Sequence, residues 1–264
     1  MKINRTLLLY ILGLLAVGLA VLLPALSWLS PLTYVLVLPL GAVWSWRSQG
    51  RSLWDLGCRF NRGWAGRLVT GLLIGLVIPL FFLGAQLAGG WTTLAVRPGW
   101  LNGLPFYFFT ALLKMVLLVA IEEFVFRGFF LSSLGQKQSI VMAIFLSSLL
   151  WGFGHLASMV NEGLSFLNIL IGMATFILWG VSLCVTYLKS GKSLWLPYGI
   201  HLGINLGFSL LGWFFVTKYN APSWWVGDPS MAPESGLIGL IGWLLLGLLI
   251  YWFVSRQAAR LGGV

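Results

Sequence analysis

The stretch Glu122-Glu123-Phe124-Val125-Phe126-Arg127 sets two adjacent carboxylates and an arginine inside an apolar run from Phe106 to Leu131. On insertion scales each such charge costs about 2.5–3.5 kcal/mol at mid-bilayer, so a membrane helix keeps it where it faces a protein interior and has a partner or a task. The chain has two histidines, His155 and His201, and both fall inside other apolar runs. A carboxylate and two imidazoles in one place can move a proton, either off a water or along a relay. The expectation is that three helices bring Glu, His and His together into one polar site.

Spacing refines this. On a helix Glu123 and Arg127 are four apart and share a face, in the favourable order of acid before base. Glu122 is turned by about 100° from Glu123. The run can therefore hold a neutralised pair, Glu123–Arg127, and present Glu122 separately; alternatively both acids share Arg127 as helix-packing glue. In Trp151-Gly-Phe-Gly-His155 an aromatic ring lies one turn from the imidazole. In His201-Leu-Gly-Ile-Asn205 the two polar side chains share a face, with Gly199, Gly203 and Gly207 near the opposite one. Small residues at that spacing let a neighbouring helix approach closely. A lone membrane histidine also serves as a hydrogen-bonded packing residue, so neither segment decides the matter by itself. Depth allows convergence: Glu122 lies ~14 Å from the inner end of its run, His201 and Asn205 roughly 10–17 Å and His155 ~24 Å from theirs.

The elements that must position these residues are membrane helices. Of 264 residues 59% are hydrophobic and only 8% charged, where soluble domains are about a quarter charged. Apolar runs at Leu7–Leu23, Leu32–Trp46, Leu68–Leu87, Phe106–Leu131, Ser139–Met159, Leu164–Leu188, Leu194–Val216 and Gly236–Val254 predict an all-α polytopic membrane protein with eight transmembrane helices in a single domain, 1–264. The first run could be a signal peptide ending near Ala25-Leu26-Ser27, but it is longer than a usual h-region, which favours an uncleaved span. With both termini cytoplasmic, the inner segments hold twelve of the sixteen Lys and Arg residues and the outer segments two, Arg97 and Lys218. The remaining two, Lys114 and Arg127, lie within a span. That bias accounts for the +10 net charge as topology in a cell membrane rather than nucleic-acid binding. Between Arg47 and Arg67, Leu53, Leu56 and Phe60 fall near one helical face among five arginines. That fits a short helix on an anionic membrane surface, or else a basic solvated loop. The outer segment Thr217–Ser235, with Pro222, Pro229 and Pro233, reads as an irregular surface loop. Cys58 and Cys184 give no disulfide framework and are read as reduced structural thiols.

Glu-Glu-x-x-x-Arg, then aromatic-x-x-x-His, then His-x-x-x-Asn, in that order on successive polar-bearing helices, resembles the CAAX-protease and bacteriocin-processing (CPBP, or Abi) family of intramembrane proteases. That family includes the eukaryotic prenyl-protein endopeptidases and the lysostaphin-resistance-type bacterial proteins. The motif-bearing core is 106–210, a CAAX-protease-like helical core. The resemblance implies that Glu122, His155, His201 and Asn205 form the catalytic centre, with Glu123 and Arg127 supporting it. Trp151 stands where the family usually has Phe, so it keeps an aromatic ring and alters the local pocket.

The residues suit this chemistry in their own right. Peptide hydrolysis needs an activated water and a stabilised oxyanion. Glu122 can take the water's proton, His155 and His201 can hold the water and polarise the carbonyl, and the Asn205 amide can donate to the oxyanion. No Ser or Cys stands out as a nucleophile. The expected partners are a membrane-associated or lipidated peptide or protein and the lipid bilayer, with no nucleic acid. Glu122, His155 and His201 could supply three zinc ligands, but they come from separate helices with no His-Glu-x-x-His segment, and the favoured form needs no metal cofactor. Two other readings fit the same residues: a protease-like immunity or sorting scaffold without turnover, and a proton-coupled transporter, against which stands the absence of two related halves.

Overall fold

The computed structural model describes Leu12, residues 33–102 and residues 104–260. Apart from Leu12, the expected first span at Leu7–Leu23 lies outside the described residues. The chain then runs through a π-helical turn, Thr33–Val37, into α1 (Leu38–Arg47) and on to α2 (Trp64–Ala88). Strand β1 (Thr92–Val96) follows, then α3 (Leu104–Glu122), a π-helical segment Glu123–Phe130 and α4 (Leu131–Leu134). Next come α5 (Ile140–Asn161), α6 (Phe166–Lys189), α7 (Trp195–Phe214), β2 (Phe215–Tyr219), α8 (Ser223–Val226) and α9 (Leu237–Arg260).

Two helices start on side-chain caps. The Ser139 and Ser165 hydroxyls accept from the backbone N–H groups of Met142 and Asn168, which satisfies donors the first turn leaves open. The α2–α7 pair is joined through glycine. Side chains at Gly71 and Gly75 would run into the α7 backbone at Leu196 and Ile200, and side chains at Gly199 and Gly203 into the α2 backbone at Leu68 and Leu72. Gly207 sits against the Pro79 ring. The glycine ladder expected on α7 thus has a backbone for its partner. Long apolar side chains face outward along α2 (Val69, Leu73, Val77), α3 (Phe109, Leu113, Leu117) and α9 (Leu244, Leu248). In a protein this apolar, such a belt meets lipid, and the chain is an integral membrane protein.

Several expectations need correction. Among the described residues three helices, α2, α5 and α6, are long and apolar enough to cross a bilayer. Eight spans are not confirmed among the described residues, and the motif-bearing run turns π-helical after Glu122. There the Leu131 N–H reaches back five residues to the Phe126 carbonyl, the wider turn that often marks functional sites. The fold is not purely α. β1 and β2 pair antiparallel from Thr92↔Tyr219 to Val96↔Phe215, so α7 stops at Phe214, and the outer segment expected to be irregular begins in a strand and contains α8. The basic stretch between α1 and α2 forms only a 3₁₀ turn, Leu53–Leu56, not an amphipathic surface helix. Leu56 is buried, its carbonyl accepts from the Tyr187 hydroxyl, and Gly128 lets the two segments touch. Trp54 and Phe60 remain exposed.

Candidate active site

Glu122 is the last α-helical residue before the π-helical turn, which leads straight into Glu123 and Arg127. Glu123 and Arg127 are fully buried, and Arg127 Nη1 donates to Glu123 Oε1 at 2.9 Å. The expected pair therefore exists. Yet the same Glu123 oxygen also lies 2.8 Å from Nδ1 of His201 on α7. A carboxylate beside arginine is an acceptor only, so the imidazole carries its proton on Nδ1 and turns Nε2 toward Glu122, 3.8 Å from Oε2. Nδ1 of His155 on α5 lies 3.0 Å from the Trp151 carbonyl, which again places the proton on Nδ1. Both histidines thus present a bare Nε2 when neutral.

The rings form a box. His155 stacks on Phe176 at 4.1 Å, and Trp151 packs edge-on to both histidines. Trp179 packs edge-on to His201 at 5.1 Å and stacks on Trp243 of α9. Sequence reasoning missed Phe176 and Trp179, because α6 carries no charge before its last turn. The available signal was a tryptophan at mid-span, since membrane tryptophans favour the interfaces.

Trp151 does more than preserve an aromatic ring. Its indole N–H donates to Glu122 Oε2 at 2.7 Å, and the Arg127 guanidinium lies over its face at 4.5 Å. A phenylalanine there keeps the second contact and loses the first. A hydrogen bond to a charged group contributes about 1.5–3 kcal/mol. Trp151→Phe is accordingly expected to slow turnover about tenfold with little change in KM and, because the ring is fully buried, to lower the melting temperature as well, checked by steady-state kinetics beside thermal unfolding. An unchanged kcat would show that the indole N–H holds nothing the reaction uses.

Glu122, His155, His201 and Asn205 all line one cavity of about 660 Å³. Pro79, Phe82, Leu83 and Phe208 form an apolar part of its otherwise mixed wall, and it runs to the end of the molecule that bears the β1–β2 ribbon and loop 227–236. The four predicted residues are therefore brought together; Glu123, Arg127 and Trp151 stand behind them. Two charged residues that sequence reasoning did not place in the site, Arg97 and Glu234, line the same cavity.

Residues 100–207 match the sequence model of a family described as Type II CAAX prenyl endopeptidase Rce1-like. No curated protein and no solved structure gives a significant match. The matched stretch, which carries Glu122, His155, His201 and Asn205, is thus similar to the CAAX prenyl endopeptidase family.

Proposed function

We propose that this protein is an intramembrane endopeptidase in which Glu122 activates a water against a peptide carbonyl. The observation that carries the reading is the shared cavity, lined by a carboxylate, two imidazoles with free Nε2 atoms and a carboxamide. Glu122 takes a proton from water as the oxygen attacks the carbonyl carbon. Nε2 of His155 and of His201 orient that water, and the Asn205 amide donates to the oxyanion. Glu122 then returns the proton to the leaving nitrogen as the C–N bond breaks. Trp151 holds one carboxylate oxygen, leaving the other for the water, while Glu123 fixes the His201 ring. The apolar part of the wall, at Pro79, Phe82, Leu83 and Phe208, suits a membrane-associated or lipidated segment.

Both imidazoles are oriented as zinc ligands often are, with Nδ1 held by a carboxylate or a carbonyl. Among the described residues, however, no three His, Cys, Asp or Glu side chains converge closely enough to hold an ion. The zinc set Glu122, His155 and His201 does not fit as placed, and the proposed mechanism routes no step through a metal.

The charge distribution supports both termini in the cytoplasm of a cell-membrane protein, with the cavity opening on the outer face beside Arg97. The whole chain, 1–264, is read as one membrane domain around the core at 106–210. The test is membrane proteomics comparing wild type with Glu122→Gln. Peptide ends present only in wild type, surviving chelator treatment of the purified enzyme, are the expected result. Identical peptide inventories would leave a binding scaffold, and cleavage lost to chelation and restored by zinc would replace the metal-free chemistry.

A further inference from the structure

The charged residues lining the catalytic cavity are Arg97, Glu122 and Glu234. Two of them are committed. Glu122 is held by Trp151, and Arg97 Nη2 donates to the Gly212 carbonyl at 2.8 Å, with the Phe215 carbonyl at 3.5 Å, capping the end of α7. Glu234 is not: among the described residues no cation pairs with it.

The loop that presents it is held firmly. Fully buried Asn168 donates through Nδ2 to the carbonyls of Ser223 and Ser235, both at 2.8 Å. The Ser235 hydroxyl accepts from the Asp228 N–H at 2.8 Å, and Asp228 in turn accepts from Ser230. Gly236 and Gly239 bring this loop against the backbone of residues 225–227 and 233–234 so closely that neither position has room for a side chain. A backbone this constrained fixes a carboxylate at the cavity wall. Burial pushes the Glu234 carboxyl up to about 7, which a nearby cation would reverse.

We propose that Glu234 makes the outer end of the catalytic cavity a subsite for a cationic side chain, a lysine or arginine of the bound peptide away from its scissile bond. A bound ammonium supplies the counter-charge that Glu234 lacks, while the apolar part of the wall takes its neighbours. The inference rests on reading the cavity as the peptide site, and it adds a preference that the catalytic residues do not specify.

The test measures binding rather than turnover. Glu122→Gln protein in nanodiscs is titrated with dansylated leucine–alanine decapeptides carrying one lysine at each position in turn, against the same peptides carrying norleucine. In at least one register lysine is expected to bind about tenfold more tightly, and Glu234→Gln added to Glu122→Gln should erase that preference while leaving norleucine affinity unchanged. The preference should grow from pH 6 to pH 8 as Glu234 ionises. The other charged and titratable groups around it are Tyr219 on β2, pushed up to about 12 by burial and then by the acids Glu234 and Asp228, together with Asp228 itself and Arg97.

Glu234→Gln should fold well. A carboxyl raised on folding stabilises the protein fully only below its unfolded value near 4.5, and that contribution is lost as pH rises towards 7. The amide is therefore expected to unfold at the same or a higher temperature at pH 8. No lysine preference in any register, no binding in any register, or a preference that survives Glu234→Gln overturns the subsite. If lysine peptides bind selectively but wild-type protein never cuts them, the subsite stands and the endopeptidase reading falls. Cutting without preference reverses that outcome.

Discussion

Glu122→Gln is expected to lower peptide hydrolysis by about three orders of magnitude, the middle of the range for losing a general base. Glutamine has nearly the same shape, and its amide oxygen still accepts from the Trp151 indole N–H, which now holds Glu122 at 2.7 Å. What it cannot do is take a proton from water. The variant should therefore fold, bind peptide and leave it intact. Turnover of a fluorogenic peptide in nanodiscs, read beside thermal unfolding, separates these effects. Near-normal turnover would sink the mechanism, and a large loss of melting temperature would mean that Glu122 is structural.

The second large effect concerns the acid next to it. Glu123 Oε1 accepts from Arg127 and from His201 at once. Glu123→Gln therefore strands a buried guanidinium and loosens a ring of the site. In soluble proteins breaking one side of a buried ion pair costs about 3–5 kcal/mol, and in a membrane the unfolded reference also finds partners, which lowers the figure. Among the described residues the Arg127 Nε and Nη2 atoms already have no hydrogen-bond acceptor, and the Trp151 face supplies part of the guanidinium's company. Glu123→Gln and Arg127→Ala should each lower the melting temperature, and the double change should cost less than the sum because no orphan charge remains. Glu123→Gln should also slow turnover through His201, whereas Arg127→Ala should act mainly on stability. A double-mutant cycle on unfolding, with kinetics on every variant, gives the comparison. A stable but inactive Glu123→Gln beside an unstable Glu122→Gln would mean the two roles are exchanged.

Much of this site was legible in the sequence because lipid makes polar residues conspicuous. In an apolar chain Glu122, Glu123, Arg127, His155, His201 and Asn205 stand out by type alone, and helical spacing assigns Glu123 to Arg127. The Glu123–His201 contact was not legible, since it depends on how α7 is rotated against the π-helical turn, and no local pattern encodes that. Trp151 was flagged only as a ring, because its N–H matters once Glu122 is known to be near. The fold was less accessible outside the lipid-facing helices. The β1–β2 ribbon joins segments far apart in sequence, and Thr92–Val96 is too short and mixed to announce a strand. Leu56 looked like one of several apolar residues on a surface helix; its burial comes from Gly128 and Tyr187, both distant in the chain.

The glycine interlock between α2 and α7 also bears on motion. Advancing α7 by one residue, about 1.5 Å with a turn of about 100°, would bring the side chains flanking Gly199 and Gly203 onto the backbone of α2, where only glycine fits. The two helices therefore travel as a single stiff beam. His201 and Asn205 ride on that beam, with Pro79 and Phe82 of the cavity wall fixed to its other half. Breathing of the cavity must then come from elements outside the beam, and the histidine and carboxamide keep their mutual spacing whether a peptide is arriving or leaving.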